Sequence, residues 1–211
     1  MEARKMNKLF DDNNPLMRGM SAAADLLFLN LLTLLCSLPL LTAGAALSAL
    51  CDAVQRMVRE EDGQLVRAYF RAFKTNLWKG SALGLLFAAA AGLVWLDYRL
   101  AGVYAPPLRL AAAAVGVLLL GLALYAFALQ ARFENSVAGT LKNAAALMVA
   151  YFPTTLWMLV CTLALWILAL RFLRYALPLL LMFGLSLPCY VCALLYQNIF
   201  RSMEKDSDET R

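Results

Sequence analysis

The chain has 211 residues and a net charge of +5, with 63% hydrophobic residues, 16% charged residues and no histidine. A soluble domain carries roughly 45–50% apolar and 25% charged residues, so this composition leaves too little polar surface for a water-soluble globule. It excludes the commonest metal ligand and the usual general base near neutral pH, and it implies an all-α, polytopic membrane helix bundle in one domain.

The nineteen basic residues flank apolar runs instead of forming one patch, so they are read as topology signals and not as a nucleic-acid surface. The five cysteines, Cys36, Cys51, Cys161, Cys189 and Cys192, all lie in apolar segments. There they serve as small hydrophobes; Cys189-Tyr-Val-Cys192 has no second pair or histidine to complete a metal site. No cofactor or metal is expected.

Residues 1–19 mix charges with large apolar side chains, and Arg4, Lys5, Lys8 and Arg18 favour a cytoplasmic N-terminal segment. The stretch Met20–Val58 follows, with Asp25 and Asp52 as its only charges before Arg56 and with Pro39 and Gly44 near its middle. After Pro39 a helical wheel puts Leu47, Leu50, Cys51, Val54, Met57 and Val58 on one side. Ser48, Asp52, Gln55, Arg56 and Arg59 fall on the other, so an amphipathic helix is expected, with Asp52 and Arg56 as an i,i+4 pair. Glu60-Glu61-Asp62-Gly63 ends it, with Gly63 as its C-terminal cap.

Residues 64–78 read as a second amphipathic helix. Val66, Tyr69, Phe70, Phe73 and Leu77 share one face and Arg67, Arg71 and Lys74 line the other, as suits a cytoplasmic or interfacial helix. Four runs within residues 80–200 are then long enough to span the bilayer: Gly80–Leu96, Leu110–Leu129, Ala144–Leu170 and Ala176–Tyr196. Trp78, Trp95 and Tyr98 flank the first as an aromatic belt would. Residues 201–211 form a polar tail.

Charge counting selects the topology. A single span by Met20–Val58 divides the basic residues eight to eleven between the two sides, in either orientation. A helical hairpin that enters and returns puts fifteen inside and four outside. The positive-inside rule favours the hairpin, either as a full double span or as a shallower re-entrant one, with N- and C-termini cytoplasmic. About five to six membrane-embedded helices result. Ser37-Leu38-Pro39 and Ser186-Leu187-Pro188 form a short internal echo, each opening an apolar helix expected to run toward the cytoplasm.

Two sets of residues are candidates for function. Asp25, Asn30, Asp52 and Arg56 form a candidate polar intramembrane site, because ionisable groups at membrane depth are costly. Arg67, Arg71 and Lys74, with Arg132, Glu134 and Asn135 of the polar connection 130–143, form a candidate cytoplasmic contact. In that connection Asn135 and Ser136 are also placed to cap the next helix. No nucleotide loop, nucleophile–base pair or metal-ligand set is present, so an enzyme is not expected.

Five motifs resemble the YesL family of small bacterial integral membrane proteins: Pro15-Leu-Met-Arg18, Asp25-Leu-Leu-Phe-Leu-Asn30-Leu-Leu, Cys36-Ser-Leu-Pro39 with Thr42-Ala-Gly44-Ala-Ala, Tyr69-Phe-Arg-Ala-Phe-Lys-Thr-Asn76, and Arg132-Phe-Glu-Asn135 with Leu141-Lys-Asn-Ala144. The resemblance covers the first two-thirds of the chain. It implies a bacterial plasma-membrane protein, an accessory or regulatory component beside carbohydrate uptake or sensing systems, with a transporter or sensor-kinase component as partner. The alternative from the residues is a small transporter or channel with a polar site between hairpin and bundle. A membrane-surface scaffold that senses anionic lipid is a third reading.

Overall fold

The computed structural model describes residues 15–59, 64–104, 107–133, 135–171 and 183–209. Among these the protein is all-helical, with α1 (Pro15–Cys36), a short 3-10 turn (Leu40–Thr42), α2 (Ala43–Val58), α3 (Leu65–Tyr104), α4 (Leu108–Arg132), α5 (Val137–Ala150), α6 (Phe152–Arg171) and α7 (Ser186–Glu209). By length and composition α1, α3 and α4 are each able to cross a membrane, and α5 with α6 makes a fourth if the bent pair is one span.

The expected hairpin is present as α1, turn and α2. Pro39 has no amide proton to continue α1, and the chain reverses over residues 37–42. Thr42 Oγ1 closes the reversal, lying 2.7 Å from the Cys36 carbonyl and 2.8 Å from that of Pro39. Leu38, Leu40 and Leu41 stand exposed at the tip, Leu40 at 86%.

α2 departs from the expected half-polar helix, because residues 44–46 and 48–55 are buried on every side. Ser48 is fully buried, and Asp52 and Gln55 nearly so. The polar side faces neighbouring helices instead of water, which requires internal partners. Ser48 donates to the Gly44 carbonyl at 3.0 Å, and Gln55 Nε2 to the Ala128 carbonyl of α4 at 3.2 Å.

The contact of α2 with α3 is backbone on backbone. A Cβ added at Gly84 would lie 2.6 Å from Gly44 Cα, and one added at Gly44 would meet the Gly80 carbonyl oxygen. Glycines spaced as Gly80-x-x-x-Gly84 let helix axes close to this distance in lipid. The same contact sets the register of the two helices, with Gly44 at the start of α2 beside residues 80–84 near the middle of α3.

Two expected boundaries are corrected. Residues 64–78 and 80–96 do not form separate helices, because α3 is continuous over 40 residues. The change from basic to apolar residues at Trp78-Lys79-Gly80 alters what surrounds the helix without interrupting its hydrogen bonds, since no proline stands there. Conversely, Ala144–Leu170 is not one helix: α5 and α6 meet at Tyr151 with a bend of 100°. Pro153 lacks the amide that an unbroken helix would use and disfavours helical geometry in the residue before it. Thr155 secures the corner, with its Oγ1 3.1 Å from Tyr125 Oη and 3.0 Å from the Tyr151 carbonyl.

α7 runs parallel to α2. Cys189 Sγ lies 3.4 Å from Cys51 Sγ, and further along Gln197 Nε2 donates to the Val58 carbonyl. That is the common direction expected from the two Ser-Leu-Pro segments. The first part of the run 176–196, together with residues 1–14, 60–63 and 210–211, lies outside the described residues, which removes the Gly63 cap from view.

Candidate functional site

The two candidate sets do not stay separate in the folded chain. At the end of the bundle where α2 and α4 finish and α3 begins, Asp52 and Arg56 of α2 line a cleft of about 200 Å³ with Arg71, Thr75 and Asn76 of α3 and Gln130 and Arg132 of α4. Arg56 Nε donates to Asp52 Oδ2 at 2.8 Å, the expected i,i+4 pair. Asp52 is nearly buried and Arg56 part-exposed, so the pair bridges the bundle interior and its surface.

A neutral amide relay supports the cleft floor. Gln130, 2% exposed, donates from Nε2 to Asn76 Oδ1 at 3.3 Å and accepts from Thr140 Oγ1 at 3.0 Å. Both ends of its amide are therefore committed, and Asn76 is oriented with its own NH₂ group turned away from Gln130. Asn76, Thr75 and Gln130 were not among the residues singled out from sequence. A neutral amide in an apolar helix carries no periodic signal, and the bond from Gln130 to Asn76 spans 54 positions.

The remaining residues of the first set are dispersed. Asp25 lines a separate open recess with Gln64, Arg67 and Phe70. Asn30, fully buried, accepts on Oδ1 from the amides of Leu185 at 2.9 Å and Ser186 at 3.1 Å. It thus caps the start of α7, which begins inside the bundle where its amides have no water to bind. The signal for this role was only that an asparagine interrupts an apolar helix.

Of the second set, Arg67, Arg71 and Lys74 are exposed along one side of α3, and Arg132 and Asn135 are half-buried beside it. Glu134 lies outside the described residues, as do Glu60, Glu61 and Asp62. Ser136 caps α5, accepting from the Gly139 amide at 3.2 Å, as expected. Among the described residues the cleft lining carries the side chains of Arg56, Arg71 and Arg132 beside the Asp52 carboxylate. Among the described residues no group of His, Cys, Asp and Glu side chains has the arrangement to hold a metal ion.

Depth in the membrane follows from α3. Exposed Trp78 and Trp95 are separated by seventeen residues, about 26 Å of helix, close to the hydrocarbon thickness. Arg99 stacks over the Trp95 ring at 5.3 Å and Arg109 over Tyr98 at 5.7 Å, an interfacial pattern at the far end. The cleft, at residues 71–76 of α3, lies on the side of Trp78 away from Trp95.

Fold and site together define an all-helical protein with long apolar helices compatible with a membrane and a basic cleft at one end. Residues 26–98, which cover the second half of α1, all of α2 and α3 to Tyr98, match the family described as "Protein of unknown function, DUF624". No curated protein and no solved structure matches the chain.

Proposed function

We propose that this is a non-enzymatic, YesL-like protein of the bacterial plasma membrane that acts as an accessory or regulatory component of a carbohydrate uptake or sensing system. The observation that carries the reading is the exposed basic row Arg67, Arg71 and Lys74 beside Arg132 and Asn135, at one end of the bundle. This surface contacts the cytoplasmic side of a transporter or sensor-kinase component. Carbohydrate enters through the family resemblance alone.

Both termini are cytoplasmic in this reading, and five to six helices are embedded. The α1–α2 hairpin inserts from the cytoplasmic side without crossing. Gly44, at the start of α2 just after the turn, meets Gly80 and Gly84, only two to six residues beyond Trp78, or about 3–9 Å along α3. The exposed Phe28, Leu31 and Leu35 of α1 then lie in the headgroup–acyl boundary.

The transporter reading has less support. Asp25 and Asp52 line separate cavities, and Asn30 holds the start of α7. Photo-crosslinking from the exposed position 75 in native membranes tests the proposal. Recovery of a transporter or kinase subunit, abolished by Arg67→Glu with Lys74→Glu, is expected. Crosslinks to lipid alone would overturn it.

A further inference from the structure

We propose that Cys51 and Cys189 form a redox site whose oxidant is a lipid-soluble quinone, bound in the apolar cavity that the two thiols line. This goes beyond partner contact and does not depend on which protein, if any, the basic row meets.

The thiol pair is the first observation. Cys51 on α2 and Cys189 on α7 are 138 positions apart in the chain, yet their sulfur atoms lie 3.4 Å from each other. Both are free thiols. They stand on parallel helices packed side by side, so joining them asks only for side-chain movement. Each is a small hydrophobe within its own helix, and the packing of α7 on α2 makes them a pair.

The cavity is the second observation. A space of about 230 Å³ lies between α2, α4, α6 and α7, and Cys51, Cys189 and Cys192 all line it. The rings of Phe127 and Trp166 form part of its otherwise apolar wall. An apolar cavity of roughly 150 Å³ already holds benzene, whereas drug-sized molecules take roughly 300–1,000 Å³. The volume therefore suits a single substituted ring. Aromatic walls and polarisable sulfur atoms favour a flat ring over an acyl chain. Thr162 Oγ1 and Cys192 Sγ meet at 3.6 Å on the wall. Each carries one proton and their contact uses one of the two, which leaves a donor for a ring carbonyl. Trp166 is 39% exposed, so the wall reaches the apolar outer surface of α6 and gives a lipid-soluble molecule a way in.

Charge selects the class of oxidant. No charged side chain lines the cavity, so an ionic reagent or product is costly there. Reaction with a quinone leaves no net charge. The Cys51 sulfur adds to a ring carbon, forming a non-aromatic adduct, and its proton passes to one quinone oxygen. The Cys189 sulfur then attacks the Cys51 sulfur. The sulfur–sulfur bond forms, the carbon–sulfur bond breaks, and its electron pair returns to the ring. The Cys189 proton passes to the other quinone oxygen. Two thiols and one quinone thus give one disulfide and one hydroquinone. The disulfide fixes α7 to α2 between the Asn30 cap at its start and the Gln197 bond further along.

The test uses the full chain in nanodiscs under anaerobic conditions, with Cys36, Cys161 and Cys192 replaced by serine. Decylubiquinone, its quinol and hydrogen peroxide are added separately at equal concentration. The disulfide is read by mass spectrometry after proteolysis, and hydroquinone by ultraviolet absorbance. The quinone should join Cys51 to Cys189 at least about tenfold faster than peroxide, because binding places the ring beside the thiols. One hydroquinone should appear for each disulfide, and the quinol should give no disulfide. Ala123→Phe, which fills the cavity from α4, should remove the advantage of the quinone while peroxide still joins the pair.

A disulfide that forms no faster with quinone than with peroxide overturns the quinone site, and that comparison holds even where Ala123→Phe fails to fold. An undiminished quinone rate in folded Ala123→Phe also overturns it. Absence of the disulfide with both oxidants overturns the thiol pair. Arg67→Glu with Lys74→Glu, which probes partner contact, leaves the cysteines in place, so the two readings fail separately.

Discussion

Gly84→Ala tests the packing that sets the depth of the hairpin. The new methyl would lie 2.6 Å from Gly44 Cα and 2.9 Å from Gly44 N, both backbone atoms of a buried helix. No side chain is available to rotate aside, so α2 and α3 must separate. Overpacking of this kind costs about 1–3 kcal/mol, opposed by up to about 1 kcal/mol of helix propensity. Gly92→Ala, eight residues along the same helix, meets nothing within 4 Å and gains the propensity without the clash. The difference between the two variants therefore isolates the steric cost, about 1–3 kcal/mol. It can be read from unfolding in mixed micelles of increasing denaturing detergent, followed by circular dichroism. Equal stability of the two variants would refute the close approach, and with it the shallow placement of the turn.

Other consequences follow from single contacts. Asn30→Leu leaves two buried amides at the start of α7 without an acceptor and should destabilise by about 1–3 kcal/mol in the same assay; no loss would remove the capping role. Gln130→Leu strands Asn76 and Thr140 and should cost a similar amount, read in the same assay; unchanged stability would remove the relay. Mild oxidation of membranes should join Cys51 to Cys189 within one chain, detected by mass spectrometry after proteolysis. Linkage of Cys36 to Cys161 in its place would contradict the parallel packing of α2 and α7.

Much of the architecture was legible in the chain, for reasons that particular residues make plain. Pro39 and the distribution of basic residues indicated a hairpin, because a missing amide proton and a charge imbalance are local facts. Elements whose limits depend on environment were harder to read. Lys79-Gly80 marks where basic residues give way to apolar ones, which suggested a helix boundary, yet the backbone runs through it. Pro153 carried the opposite information, a broken helix within an unbroken apolar run, and mean hydropathy concealed it. The polar side of α2 signalled exposure, whereas in the fold its polar groups are bonded internally. For the cleft, Asp52 and Arg56 were visible as a pair because they are four residues apart. Their meeting with Arg71, Arg132, Asn76 and Gln130 depends on α3 and α4 packing beside α2, which no local pattern encodes.

The central claim is that the hairpin returns to its own side, so that the basic cleft faces the cytoplasm. In a cysteine-free background, single cysteines at the exposed positions 74 and 109 can be probed in intact cells with a membrane-impermeant maleimide. Position 109 should label from outside, and position 74 only after the membrane is permeabilised. Labelling of position 74 in intact cells would contradict the account.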